Sequence, residues 1–131
     1  MKRAVDRFMP RTGIGVCVFF GAVALLMLVA PAFPKPGELT ADGLASLAAA
    51  GWCWLNFWRC RHAHCALTAP GWSALAAFDF GEAAIGHSLI HGDEQLVFLG
   101  MLVVAVAFEI AWSRMRGTNA LIAQRRSEDV T

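Results

Sequence analysis

The chain has 131 residues, 57% of them hydrophobic and only 16% charged, against about 45–50% and about 25% in soluble globular domains. Eleven Lys and Arg against ten Asp and Glu leave a net charge of +1, so there is no basic field to recruit nucleic acid. Four scattered cysteines in a mostly apolar chain do not make a secreted disulfide framework. These figures point to an integral membrane protein.

The first apolar stretch, about residues 13–33, carries no charge and matches the roughly 20 residues needed to cross the hydrocarbon. Lys2, Arg3, Arg7 and Arg11 precede it, and Ala30-Pro31-Ala32 follows. That pattern also fits a secretory signal with an A-x-A-like cleavage site, although the run exceeds the 7–15 residues of a signal core. A retained helix is the expectation. Pro31, Pro34 and Pro36 should end it and make an extended connection.

A second stretch, about 39–58, has Asp42 as its only charge, and its Ala and Gly content predicts a packed helix rather than a lipid-facing one. The third, about 71–90, carries Asp79, Glu82 and His87. An ionised group near a bilayer centre costs about 2.5–3.5 kcal/mol, so this helix needs sheltering neighbours. The fourth, about 95–112, is strongly apolar apart from Glu109. The fold expected is all-α, a four-helix integral membrane bundle over residues 1–117, with a polar cytoplasmic tail over 118–131.

With the N-terminus inside, ten Lys and Arg fall on the inner side and only Lys35 on the outer, the bias of the positive-inside rule. Trp52, Trp54, Trp58, Trp72 and Trp112 then cluster at the inner ends of spans, where amphipathic rings settle at headgroups. The localisation expected is the inner (plasma) membrane, multi-pass, with both termini cytoplasmic.

Chemistry concentrates in residues 53–70. Cys53, Cys60, His62, His64 and Cys65 are five of the chain's eight Cys and His within thirteen residues. Thiolate and imidazole are ligands for soft or borderline ions such as Hg, Cu or Zn, and Cys60, His62, His64 and Cys65 would supply two sulfurs and two nitrogens. The spacing matches no zinc-finger pattern. On a continuous helix Cys60 and His64 would share a face, with His62 pointing elsewhere. The plainer alternative packs Cys53 in a helix and sets the His and Arg side chains at lipid phosphates.

The segment Cys53, Asn56, Arg59, Cys60, His64, Cys65, Thr68 and Pro70 resembles that of small, largely uncharacterised bacterial and archaeal integral membrane proteins with the pattern C-x2-N-x2-R-C-x-R-x-H-C-x2-T-G-P. Two departures stand out: Arg61 directly follows Cys60 instead of coming one residue later, and Ala69 replaces the glycine before the proline. The resemblance implies a membrane protein with a cysteine-bearing inner loop, and a mercury-handling context.

Asp79 and Glu82 are neighbours on one face of the third helix, with His87 and His91 nearer its outer end. Buried carboxylates and imidazoles are the parts of cation and proton pathways, so Asp79, Glu82 and His87 are the candidate transport residues. The alternative pairs the two carboxylates with Arg59, Arg61 or a partner subunit. Ser73, Ala77 and Gly81 form a small-residue stripe for a close neighbour. His91 to Glu94 reads as a solvated turn. No phosphate loop, nucleophile elbow or His-Glu-x-x-His helix appears.

The sequence therefore favours a non-enzymatic membrane protein that binds or helps transport a soft metal ion, with the lipid bilayer, a second copy or a larger membrane complex as partners. An accessory or assembly subunit is the second reading. A thiol oxidoreductase is third, because the nearest cysteine spacing in sequence is C-x4-C rather than C-x-x-C.

Overall fold

The structure, a computed structural model, describes residues 13–117, with every side chain in that range except that of Cys60. The expected tail over 118–131 lies outside the described residues. Four helices follow in chain order: α1 (Gly13–Val29), which tightens into a 3-10 turn at Ala30–Ala32, then α2 (Lys35–Cys60), α3 (Ala63–Ile85) and α4 (Glu94–Arg116). The all-helical expectation holds.

The prolines act as starters as much as stoppers. Pro31 lies in the first turn of the 3-10 segment, and Pro34 precedes α2 with ψ 151°, its carbonyl accepting from the N–H groups of Gly37 (2.7 Å) and Glu38 (3.0 Å). Pro36 falls in the first turn of α2, where its fixed φ is already helical and its missing N–H is not needed. Lys35 pairs with Glu38 at 2.9 Å. The extended connection thus shrinks to two residues, Phe33 and Pro34.

The segment between α2 and α3 departs furthest from expectation. Arg61 takes a left-handed φ of 52° while its N–H bonds to the Phe57 carbonyl at 2.9 Å, and His62 is extended. The chain reverses within those two residues. The expected cysteine-bearing loop is therefore a two-residue turn, and His64 and Cys65 ride on the first turn of α3. That helix starts eight residues earlier than the span at 71–90 and passes through Pro70. A proline there leaves the Ala66 carbonyl without its helical donor. Both Ala66 and Pro70 lie on the exposed side, so no neighbouring helix is disturbed.

The α2–α3 hairpin is the centre of the molecule and its most extensive interface. Small side chains make it close: Ala45, Ala49, Ala50 and Cys53 of α2 meet Cys65, Ala69 and Ala76 of α3, all buried. This is the packing that Ala and Gly content predicts for α2. The helix α1 lies on α2, with Phe19 stacked on Trp52 at 4.5 Å, and α4 lies on α3, with Phe98 stacked on Trp72 at 5.0 Å. Trp72 is 2% exposed, so it is a core residue in mid-helix rather than a headgroup anchor.

The segments Gly13–Ala32 and Glu94–Arg116 are long and apolar enough to cross a membrane. Their outer faces carry Ile14, Leu28, Leu96 and Val103, each at least 65% exposed. Of the stripe Ser73, Ala77 and Gly81, Ser73 joins α2, its Oγ accepting from Trp54 Nε1 at 3.2 Å. Ala77 and Gly81 are exposed, and a Cβ at Gly81 would meet nothing within 4 Å.

Candidate metal centre

The two-residue turn carries His62 and His64 to the mouth of the bundle beside Glu109, four turns along α4. His64 Nδ1 lies 2.6 Å from Glu109 Oε2, and His62 Nδ1 lies 3.7 Å from Glu109 Oε1. The two imidazoles stand edge to face with centroids 5.5 Å apart. One ligand atom from each of the three residues falls within 4.8 Å of the others. Among the described residues this is the only His, Cys, Asp and Glu group of three or more that could hold a metal ion.

His64 Nδ1 is buried and, despite its approach to the carboxylate, makes no aligned hydrogen bond. Two ligand atoms at zinc distances of 2.0–2.1 Å in a tetrahedron would sit about 3.3 Å apart. A retreat of the carboxylate by less than about 1 Å would therefore admit an ion between the two side chains. The donor set is two nitrogens and a carboxylate oxygen, which suits Zn(II) or Cu(II) better than Hg(II).

The ring of His64 has two occupied sides. Its Nε2 lies 3.1 Å from Cys65 Sγ, and that sulfur accepts from Asn56 Nδ2 at 3.4 Å. Cys53 belongs to the same buried core cluster as Cys65. Cys53 and Cys65 are free and buried, whereas Cys17 is exposed on α1. A cavity of about 290 Å3 opens against this group, lined by Cys53, Asn56, His64, Thr68, Trp72 and Glu109 among others.

Of the five expected ligands, then, His62 and His64 come together. Cys65 touches His64 from behind, Cys53 is one layer deeper, and the side chain of Cys60 lies outside the described residues. Glu109 was not foreseen as a ligand. Its signal was the one carboxylate in an otherwise apolar stretch over 95–112, which has to find a partner.

The expected transport residues sit at the other end. Asp79 is fifteen residues along α3 from His64, about 22 Å at 1.5 Å per residue, and the stacked Trp72 and Phe98 lie between. Asp79 and Glu82 are 0% and 1% exposed. Asp79 Oδ2 accepts from Ser46 Oγ at 3.4 Å, and Glu82 Oε1 accepts from the backbone N–H of Leu89. Two unforeseen carboxylates are also buried: Asp42, which accepts from Gln95 Nε2 at 3.3 Å, and Glu94, the first residue of α4. Glu94 is 2% exposed, so the turn expected to be solvated turns inward at its last residue. His87 is exposed beyond the end of α3, its Nδ1 3.4 Å from the Ile85 carbonyl, and takes no part in this group. Neither Arg59 nor Arg61 reaches the carboxylates, since both are at the histidine end.

Comparison of the chain with protein families, curated proteins and solved structures gives no match.

Proposed function

We propose that the chain is a multi-pass inner-membrane protein that binds a borderline divalent ion, Zn(II) or Cu(II), at its cytoplasmic end. His62, His64 and Glu109 are the ligands, and a solvent or substrate atom completes the tetrahedron. The observation that carries this reading is the convergence of the three ligand atoms within 4.8 Å, on side chains drawn from a turn and two helices. Support for the membrane setting comes from the two long apolar segments and from the ten-to-one division of Lys and Arg. Cys65, against His64 Nε2, is a sulfur within reach should the ion move inward. The stacked Trp72 and Phe98 lie between this end and Asp79, which favours binding and handling of an ion over conduction to the far carboxylates.

Elemental analysis of the purified protein, followed by calorimetric titration with Zn(II) and Cu(II), tests the reading. One ion per chain is expected, lost in His62→Ala, bound more weakly in Glu109→Gln and retained in Cys17→Ser. Retention of full affinity in both triad variants would remove the assignment.

A second reading, an accessory subunit of a larger membrane complex, is favoured by the open stripe at Ala77 and Gly81. Small residues facing outward on a buried-core helix invite a partner helix. Gly81→Leu should then release a co-purifying protein in a mild-detergent pull-down.

A further inference from the structure

Gln95 ties together the end of the bundle far from the histidines. Its Nε2 donates to the Met27 carbonyl at 2.8 Å and to Asp42 Oδ1 at 3.3 Å. The Met27 carbonyl has lost its helical donor, because residue 31 is a proline without an N–H. One turn along α2 from Asp42, Ser46 Oγ donates to Asp79 Oδ2 at 3.4 Å. One turn along α3 from Asp79, the Glu82 carboxylate accepts the N–H of Leu89. With the helical steps from Asp42 to Ser46 and from Asp79 to Glu82, these bonds link all four helices and the turn between α3 and α4.

The acids in and beside this network are deeply buried and lack a counter-charge. Asp42, Asp79, Glu82 and Glu94 are 2%, 0%, 1% and 2% exposed. Each keeps one buried oxygen without a hydrogen-bond partner: Asp42 Oδ2, Asp79 Oδ1, Glu82 Oε2 and Glu94 Oε1. Among the described residues Lys35 is the one Lys or Arg at this end, and its ammonium pairs with Glu38 at 2.9 Å. His87, His91 and Asp93 of the turn are exposed. The only ionisable residue of α1 is Cys17, ten residues before Met27.

We propose that Asp79 and Glu82, with Asp42 and Glu94 buried at the same end, form a proton-binding latch: loaded with protons it holds the four helices closed, and unloaded it parts α4 from α2. A protonated carboxyl donates as well as accepts, whereas an ionised one only accepts. A proton therefore turns an unpartnered oxygen into a donor for a neighbouring acid. An ionised carboxylate with neither cation nor donor is expensive in a buried site, and a second one a helical turn away adds repulsion. The helix ends decide which acids take the protons. Glu94 opens α4, whose N-terminus supports a negative charge, while Glu82 lies in the last turn of α3, whose C-terminus opposes one. Asp79 sits in mid-helix with no such support. When both protons leave, solvation of the carboxylates favours exposing them. The tie to give way is Gln95, whose side chain bonds α4 to both α1 and α2. The inference is independent of the metal reading.

The test uses the full chain in lipid nanodiscs, followed by infrared spectroscopy and by amide hydrogen exchange as pH is raised. At neutral pH the carboxylic-acid C=O stretch should be present; Asp79→Asn and Glu82→Gln should each lose part of it, and Glu109→Gln, which disables the metal triad, should retain it. Both substitutions at the latch keep an oxygen to accept from Ser46 or Leu89. In the unaltered chain, exchange over the turn and the first turns of α4 should rise with pH beyond its intrinsic base-catalysed increase. In Asp79→Asn that excess should shrink, and in Asp79→Asn combined with Glu82→Gln, uncharged at every pH, it should vanish. Absence of the acid band at neutral pH overturns the proposal, even if the double variant does not fold. So does a band unaltered in both single variants, or an excess of exchange in Asp79→Asn equal to that of the unaltered chain.

Discussion

His64 Nδ1 and Glu109 Oε2 approach to 2.6 Å across the bundle, tying the first turn of α3 to the last third of α4. Glu109 lies in a helix apolar enough to cross a membrane, where a carboxylate is expensive unless something at the site uses it. Glu109→Gln keeps the shape and removes the charge. Its expected effect is a fall in Zn(II) affinity of about 10–100-fold, the range for losing a carboxylate that completes or orients a histidine site. Calorimetric titration of the purified variant measures it, and unaltered affinity would place the ion elsewhere.

Metal affinity should also depend on pH in a stated direction. An imidazole ligates only when neutral, so the affinity should fall as pH is lowered. Protons should be released when the ion binds in acidic buffer. Titrations in two buffers of different ionisation enthalpy count them. No proton release under those conditions would mean that His62 and His64 are not ligands.

The apolar runs of α1 and α4 were plain in the sequence because length and the absence of charge are local properties. The start of α3 was not, because a proline eight residues into a helix reads as a breaker, and nothing local says that Ala66 and Pro70 face outward. The same gap hid the site. His62 and His64 were visible as ligand types, but Glu109 comes from 45 residues further along the chain, and only the antiparallel packing of α4 on α3 brings it there. Asp42 and Glu94 looked like end-of-span charges, and their burial beside Asp79 and Glu82 depends on how the helix ends meet.

Orientation has a direct check. Reporter fusions after Lys35 and after Arg61 should report opposite sides of the membrane, the second one cytoplasmic, because ten of eleven basic residues fall on that side in the four-span reading. The same side for both would mean that α2 does not cross.

The two ends of the bundle should behave independently. Glu82 accepts the Leu89 N–H and so holds the turn between α3 and α4. Glu82→Ala removes that acceptor and should cost about 0.5–1.5 kcal/mol, read as lowered thermal stability in detergent. Asp79→Asn keeps an acceptor for Ser46 and should be nearly neutral. Since Asp79 is about 22 Å from His64 along α3, it should leave metal affinity unchanged. An affinity loss in Asp79→Asn would show that the carboxylate end and the histidine end are coupled.

The closeness of α2 and α3 can be tested with a methyl group at two glycines. A Cβ at Gly43 would lie 2.9 Å from Phe80 Cε1 and 3.0 Å from its Cδ1, whereas one at Gly81 would meet nothing within 4 Å. In both positions alanine gains helix propensity, about 1 kcal/mol per residue in a helix interior. At Gly81 that gain is unopposed within the chain, so Gly81→Ala should raise the thermal midpoint. At Gly43 the ring of Phe80, on α3, must move away from α2, and inserting bulk into a packed interface costs about 1–3 kcal/mol. Gly43→Ala should therefore leave stability unchanged or lower it, and Gly43→Ala combined with Phe80→Leu should recover much of the loss by freeing the space the ring occupied. Equal stabilisation by Gly43→Ala and Gly81→Ala would mean that the two helices are further apart at that level than the ring contact requires.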